Sequence, residues 1–190
     1  MSVENLSVAS STAAKKGVVI IGAGLAGWHV IDAIRAKDTE IPITLITADS
    51  GDRYHKPMLT MAISQNKRAS DLVRASGSEA ANTAEVTLLA NTQVTDIDPV
   101  SQTVQVRSTA QSDDTLTTIG YEKMVLAMGA HPIFPKSLPQ DLVWHVNHIE
   151  RFSQLQEKLT TGSQHVAIVG AGMVGTEIAE DLLKAGHKVT

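Results

Sequence analysis

Two stretches of this chain share one order of apolar runs, glycine-rich turns and amphipathic spacing. Each run of branched apolar residues predicts a buried strand, and apolar positions three and four residues apart after it predict a helix. The predicted elements are strand Val18–Ile21, helix Ala26–Ala36 and strand Ile43–Thr47 in the first stretch, and strand Val166–Val169, helix Thr176–Ala185 and a strand beginning at His187 in the second. In the first helix this spacing leaves Asp32 and Arg35 facing water. Strands that alternate with helices predict an α/β fold with a parallel sheet.

Between these stretches the pattern changes to the period-2 alternation that is typical of half-buried strands. The predicted strands are Val86–Leu89, Thr92–Ile97, Thr103–Val106 and Leu116–Ile119, which together predict a β-meander. Met61–Ala84 predicts helical structure broken around Ser76-Gly77-Ser78. Val125–Ala130 predicts a strand that ends on small residues, and Ile149–Leu159 predicts a short helix.

A glycine signature follows the first strand of each stretch. The two copies are Gly22-Ala23-Gly24-Leu25-Ala26-Gly27 and Gly170-Ala171-Gly172-Met173-Val174-Gly175. The first glycine permits a tight turn, the second lets the backbone approach a pyrophosphate, and the third allows the helix to pack closely on the strand. Two copies predict two dinucleotides, most simply a flavin nucleotide and a nicotinamide nucleotide. This combination indicates electron transfer.

Asp49 is the candidate acceptor for a hydroxyl of the adenosine ribose. It lies at the end of the second predicted strand, about 20 residues after the glycine turn, where this fold places a carboxylate. The backbone of Ala48 lies beside it. The alternative is an ordinary strand-end aspartate that caps its own turn.

Composition excludes several classes of protein. With 43% hydrophobic and 19% charged residues, the chain is typical of a soluble globular protein. A net charge of −4 leaves no basic footprint, so nucleic acid is not an expected partner. No apolar stretch has the length of a membrane span. The absence of cysteine and of a signal sequence predicts a cytoplasmic location.

The pattern divides the chain into three parts. Residues 1–15 are small and polar and predict a disordered leader, residues 16–143 predict the N-terminal part of an FAD-binding domain, and residues 144–190 predict a truncated NAD(P)H-binding domain. Because the last predicted strand has barely begun where the sequence ends, we expect the N-terminal part of a longer protein. We therefore expect these 190 residues alone to show little or no turnover.

Together these features resemble the pyridine-nucleotide-dependent FAD oxidoreductase family. The matching residues are the two glycine turns, the block Val125–Ala130 with Met128 where the family usually carries threonine, and Thr176-Glu177-Ile178-Ala179. The resemblance implies an FAD domain that opens the chain and an NAD(P)H domain inserted into it. Within the family, Tyr54–Thr60 looks most like the rubredoxin–NAD reductases.

The resemblance also implies roles for five further residues. Lys56 would lie near the flavin edge, where the alternative is a solvated lysine before a proline. The backbone of Val94 would contact the adenine, although a valine on a meander is usually core. Ala127 and Gly129 would leave room for the isoalloxazine ring, and Glu177 would meet the nicotinamide carboxamide or a flavin-side lysine.

The lack of cysteine narrows the expected reaction. Disulfide reductases of the family attack with a thiolate, which no other side chain replaces. We therefore expect hydride from NADH to reach FAD and electrons to leave one at a time for rubredoxin or a similar small iron carrier. The alternatives are a ferredoxin or flavorubredoxin reductase, or a nucleotide-binding fragment without turnover. A metal site is not predicted, because the pair His145 and His148 lacks further ligands.

Overall fold

A computed structural model describes residues 17–110, 115–139 and 142–190 of this protein. The predicted leader, residues 1–15, lies outside the described residues. The strands are β1 (Val18–Ile21), β2 (Ile43–Ile46), β3 (Arg53–Tyr54), β4 (Val73–Ala75), β5 (Thr87–Leu89), β6 (Thr92–Asp98), β7 (Thr103–Ser108), β8 (Leu116–Gly120), β9 (Lys123–Leu126), β10 (His165–Val166) and β11 (Lys188–Val189). The helices are α1 (Leu25–Arg35), a 3₁₀ helix (Lys56–Met61), α2 (Ala69–Leu72), α3 (Gly77–Thr83), α4 (Ile149–Leu159) and α5 (Met173–Lys184).

The first unit is built on a parallel sheet with the strand order β5-β2-β1-β9. Side chains alternate between the two faces of a strand, so the apolar residues of β1 serve two cores. Val18 and Ile20 pack with the apolar residues of α1 and α3 on one face. Val19 and Ile21 pack on the other face against the meander β6-β7-β8. The predicted parallel sheet and β-meander are therefore confirmed.

The strand predicted over Val125–Ala130 was placed too far along the chain. The structure has β9 at Lys123–Leu126. After this strand the amide of Ala127 still donates to the carbonyl of Ile21 at 2.8 Å, but the ladder then stops. The small residues that follow, including the exposed Gly129, therefore form an irregular segment at the carboxyl end of the sheet.

The segment after β2 differs most from the prediction. Met61–Ala84, where interrupted helical structure was predicted, contains the last residue of the 3₁₀ helix, the short helix α2, strand β4 and helix α3. Strand β4 interrupts the helices next to the predicted break, and Ser76 then caps the start of α3, because its side chain accepts a hydrogen bond from the amide of Glu79. The carboxylate of Glu79 in turn accepts one from the amide of Ser76 at 3.0 Å. This reciprocal cap is a helix-start signal that the apolar spacing did not reveal.

The second unit has the order strand, glycine turn, helix, strand. Strands β10 and β11 pair in parallel, with His165 opposite Lys188 and Val166 opposite Val189. Helix α5 begins at Met173, three residues before the predicted start, because Gly172 is its N-cap. Among the described residues, every helix falls short of the length and apolarity needed to cross a bilayer.

A third apolar cluster joins the two units. Leu59 and Ala62, from the 3₁₀ helix and the turn after it, pack with Leu72 of α2. Ile149 and Phe152 of α4 complete this cluster. The segment after β3 is therefore packed against helices that come much later in the chain.

Arg35 does not face water as the helical spacing predicted. Its guanidinium donates to the carbonyl of Ala84 at 2.7 Å from Nε and to that of Ile41 at 2.9 Å from Nη1. It also reaches the carbonyls of Asp38 at 3.2 Å and Glu85 at 3.0 Å. Arg35 therefore ties the end of α1 to the loops that precede β2 and β5.

We expect Arg35→Met to lower the free energy of unfolding by about 2 kcal/mol, since several carbonyls lose a charged donor at once. Urea unfolding followed by circular dichroism measures this. Arg151→Met is the matched control, because Arg151 is exposed on α4 and makes a single 3.3 Å bond to Gln154. Its effect should stay within about 0.5 kcal/mol. Equal effects of the two variants would contradict the role given to Arg35.

Candidate dinucleotide sites

The first glycine turn needs glycine at its outer two signature positions. Gly22 has φ +106, a left-handed conformation that favours glycine, and a Cβ there would overlap the carbonyl of Ala127. A Cβ on Gly27 would overlap the carbonyl oxygen of Gly22. Helix α1 can therefore approach the end of β1 only because Gly27 lacks a side chain, and the segment after β9 can lie beside the turn only because Gly22 lacks one.

The middle glycine of the turn has no such internal reason. Gly24 has φ −74, which any residue adopts, and a Cβ there would meet no atom within 4 Å. It is the N-cap of α1, and no side chain caps this helix end. The space over Gly24 and the amides of the first helical turn are thus suited to an anionic group that approaches from outside.

The second turn repeats this geometry. Gly170 has φ +118, and a Cβ on Gly175 would overlap the carbonyl oxygen of Gly170. Gly172 has φ −78, open space around it and no side-chain cap on α5. By contrast, α3 begins with a capping serine. The two uncapped helix ends share the chemistry that binds a pyrophosphate.

Asp49 combines the two roles that the sequence left open. Its Oδ1 accepts a hydrogen bond from the Thr47 hydroxyl at 2.6 Å and from the Gly51 amide at 3.0 Å, so it does cap its own turn. Within the described residues, its Oδ2 accepts no hydrogen bond. One carboxylate oxygen therefore holds the loop while the other remains suited to a ribose hydroxyl. Ala48 is exposed beside it.

Lys56 opens the 3₁₀ helix and is exposed. Burial lowers the pKa of His148, and the positive charge of Lys56 acts in the same direction. Burial also raises the pKa of Tyr54 to about 12, with the carboxylates of Glu150 and Asp49 adding to the shift. The imidazole and the phenol are therefore neutral near pH 7, and Lys56 supplies positive charge on this side of the site.

The remaining flavin-side candidates differ in how they are placed. Val94 pairs with Val106 across β6 and β7, and its half-buried side chain packs in the core, so it offers only backbone to a ligand. Ala127 contacts the first turn, because its carbonyl lies beside Gly22. Gly129 is exposed, has φ +69 and has open space around it.

Glu177 contacts Thr60 and not a lysine, which was one of its two expected partners beside the nicotinamide carboxamide. Its Oε2 accepts a hydrogen bond from the Thr60 hydroxyl at 2.9 Å, and no ion pair between Glu177 and Lys56 exists in the described structure. Four residues further along α5, Asp181 accepts hydrogen bonds from the amides of Ile63 and Ser64. The sequence analysis missed Thr60 and Asp181. The spacing of Glu177 and Asp181 was the available signal, since it puts both on one helix face.

Three histidines lie near one another beside Lys56 without forming a metal centre. The ring centroids of His131 and His145 are each 6.4 Å from that of His148. In the part of the chain that the structure describes, no three or more histidine, cysteine or acidic side chains could together hold a metal ion.

Two glycine turns that lead from parallel strands into uncapped helix ends define a protein with two dinucleotide sites. Residues 16–190 match the family described as pyridine nucleotide-disulphide oxidoreductase. The chain belongs to this family of oxidoreductases, whose cofactors FAD and NAD(H) are those that the two turns fit.

Several relatives carry the same fold. The chain is 38% identical over 174 residues to the nitric oxide reductase FlRd-NAD(+) reductase of Enterobacter sp. (strain 638), covering 92% of this chain and 44% of that protein. It is similar to the reductase in a covalent putidaredoxin reductase–putidaredoxin complex, with 28% identity and a TM-score of 0.76. This match covers 93% of this chain and 42% of that one. The fold is shared with NADH:rubredoxin oxidoreductase from Clostridium acetobutylicum, which is 22% identical, with a TM-score of 0.69. This match covers 91% of this chain and 43% of that one. The chain thus spans less than half the length of these proteins.

Gly24→Ala and Gly27→Ala should fail in different ways. Because a methyl at residue 24 meets no protein atom, Gly24→Ala should keep the thermal midpoint but weaken FAD binding by about tenfold or more. Gly27→Ala should lower the midpoint itself, since its methyl overlaps a carbonyl. Thermal unfolding and FAD titration of the full-length gene product measure both. A Gly24→Ala protein that holds FAD as tightly as the parent would show that no pyrophosphate approaches this turn.

Proposed function

We propose that this protein is an FAD-dependent oxidoreductase that takes hydride from NADH and passes electrons one at a time to a small iron-containing carrier, rubredoxin or flavorubredoxin. The observation that carries the proposal is one segment that touches both dinucleotide units. Tyr54 and His55 line a pocket together with Leu25 of the first glycine turn. Thr60, a few residues further on, binds Glu177 of α5.

Each candidate residue of the first unit has a role in holding FAD. The space over Gly24 admits the pyrophosphate, whose charge the amides at the start of α1 bind together with Gly22 and Gly27. The free oxygen of Asp49 accepts a ribose hydroxyl, and the backbones of Ala48 and Val94 lie along the adenosine. The small residues Ala127 and Gly129 leave room for the ring system.

Lys56 and its neighbours determine the charge at the edge of the flavin ring. FAD, when bound, accepts two electrons as hydride and can release them singly. The Lys56 ammonium stabilises negative charge at the adjacent edge of the ring. The neighbouring Tyr54 phenol and His148 imidazole, both neutral near pH 7, add no competing charge.

The second unit holds the hydride donor. The pyrophosphate of NADH binds at Gly170, Gly172 and Gly175, where the open start of α5 donates to it. Glu177, held by Thr60, lies within the first turns of the same helix and orients the nicotinamide end. We therefore assign residues 16–143 to an FAD unit and residues 144–190 to an NAD(P)H unit.

The relatives and the absence of cysteine support an iron carrier as the electron acceptor. The 190 residues contain no thiol that could pass electrons to a disulfide. The Enterobacter relative is named as a reductase that acts with flavorubredoxin. A ferredoxin-type carrier is the second candidate, favoured by the 28% identity to putidaredoxin reductase. Because the 190 residues contain no cysteine, we propose the cytoplasm as the place of the reaction.

The full-length gene product, purified without oxygen, should be yellow and should bleach when NADH is added. Addition of oxidised rubredoxin should then restore the flavin absorbance as the carrier is reduced. Stopped-flow absorbance at the flavin and rubredoxin maxima measures both steps. The same measurement with flavorubredoxin and with a putidaredoxin-type ferredoxin shows which of the three carriers accepts electrons from the flavin.

Two controls sharpen this experiment. NADPH in place of NADH reports the nucleotide preference, and the 190-residue chain, tested alongside, should show little turnover. A protein that takes up no FAD would exclude the flavoprotein assignment. Flavin that bleaches with NADH but reduces none of the three carriers would exclude the one-electron carrier as partner.

A further inference from the structure

Asp181 of α5 is a charged side chain almost wholly buried against the flavin-side segment, by which we mean Lys56 to Ala69: the 3₁₀ helix, the turn after it and the start of α2. Asp181 is 4% exposed. Its Oδ2 accepts a hydrogen bond from the amide of Ile63 at 2.8 Å, and its Oδ1 accepts from the amide of Ser64 at 3.1 Å and from the Ser64 hydroxyl. All three donors belong to the turn that follows the 3₁₀ helix.

A buried carboxylate tolerates little movement of such donors. Removing a charge from water is unfavourable unless hydrogen bonds replace the lost hydration, and these bonds are directional. If α5 slid by one residue relative to the segment, Asp181 would lose its donors while remaining buried. The contact therefore sets the position of the segment along the helix.

A second contact, one turn earlier on α5, also sets the position of the flavin-side segment along the helix. Glu177 accepts a hydrogen bond from the hydroxyl of Thr60, which is itself buried. Residues four apart in a helix share a face, so Glu177 and Asp181 hold the segment at two points. The same helix begins at Gly172, where the second dinucleotide site lies. One rigid helix thus connects the nucleotide site to the segment that begins with Lys56.

Helix α4 holds the far end of this segment independently. Its Gln156 accepts from the amide of Ala69 at 3.1 Å and donates to the carbonyl of Lys67 at 2.6 Å, and Phe152 lies in the cluster beneath. Because α4 and the apolar cluster already anchor the segment, the charged contact on α5 is not needed merely to keep it folded.

We propose that Asp181 is a positioning residue for hydride transfer, because it sets the place of the flavin-side segment relative to the helix that holds the nicotinamide nucleotide. This inference rests on the proposed function. Asp181 itself touches neither cofactor. Its effect reaches the reaction through the distance between the two rings, to which hydride transfer is sensitive, since a misplacement of about 1 Å can cost about 100-fold in rate.

The test is anaerobic stopped-flow reduction of the FAD-loaded, full-length gene product by NADH. Asp181→Asn puts an amide NH₂ group among the three donors. It should lower the limiting rate of flavin reduction by about tenfold or more. The FAD content and the Kd for NADH should stay within about threefold of the parent, because neither site loses a contact. Oxidation of dithionite-reduced flavin by ferricyanide should not change, since it needs no nicotinamide.

Asp98→Asn is the matched control. Asp98 accepts the same set of bonds, from the amides of Val100 at 2.8 Å and Ser101 at 3.1 Å and from the Ser101 hydroxyl at 2.6 Å. It is the exposed last residue of β6 and binds the turn that leads to β7. This variant should reduce its flavin at the parent rate.

If Asp181→Asn does not fold, Ser64→Ala tests the proposed positioning role of Asp181. It removes one donor and keeps both backbone bonds, so a slowing of about threefold is expected, again with unchanged ferricyanide oxidation. Flavin reduction within about 1.5-fold of the parent rate in every one of these variants that folds would overturn the proposal. So would equal losses in reduction and oxidation together with loss of FAD, which would mark a purely structural role. If the parent flavin is not reduced by NADH at all, the proposed function fails and this inference fails with it.

Discussion

The architecture depends on how closely a helix can lie against the strand before it. Gly27 meets the carbonyl of Gly22 without space for a methyl group, and Gly175 meets that of Gly170 in the same way. These two contacts fix the starts of α1 and α5 close to the preceding strands. Neither helix start has a side-chain cap. The anion-binding chemistry follows from the close packing, since only a helix docked in this way presents free amides beside an open glycine.

The flavin-side segment shows that neither unit makes the site alone. It begins at Lys56 next to the first unit, yet its polar groups are bound by Glu177, Asp181 and Gln156, which all belong to later helices. Its apolar residues pack with Phe152 of α4. The position of the segment therefore depends on docking between the two units. This arrangement suits a reaction in which two separately bound rings must meet.

Buried or half-buried charged side chains perform a common task in this protein. Arg35 and Asp181 each bind two or more backbone groups of loops, Asp49 binds one backbone amide and one hydroxyl of its own turn, and none of them pairs with an opposite charge through those bonds. Backbone amides and carbonyls in loops need partners once water is excluded. Charged side chains that each satisfy several such groups fix irregular segments that neither helix nor sheet hydrogen bonding would hold.

Much of the fold was predictable because it follows from local periodicity. The branched run Val18–Ile21, the glycine signatures and the alternating strands determined a parallel sheet, two turns and a meander. The same reasoning failed where a polar side chain acts over long distances. Arg35 has the spacing of a solvent-facing residue, but the loops before β2 and β5 surround it with carbonyls. The carbonyls of Ala84 and Glu85 lie 49 and 50 positions away from Arg35 in the sequence, so the spacing within the helix does not reveal them.

The candidate site divides in the same way. The sequence alone determined the first and third glycines, because the positive φ of the first and the close contact of the third are local to each turn, and it marked Asp49 by its distance from the first turn. Only the tertiary structure decided that Glu177 binds Thr60, that Asp181 is buried, and that the segment after β3 is a 3₁₀ helix. These contacts join residues more than a hundred positions apart. Their partners are chosen by the packing of two units, which no periodicity within either unit encodes.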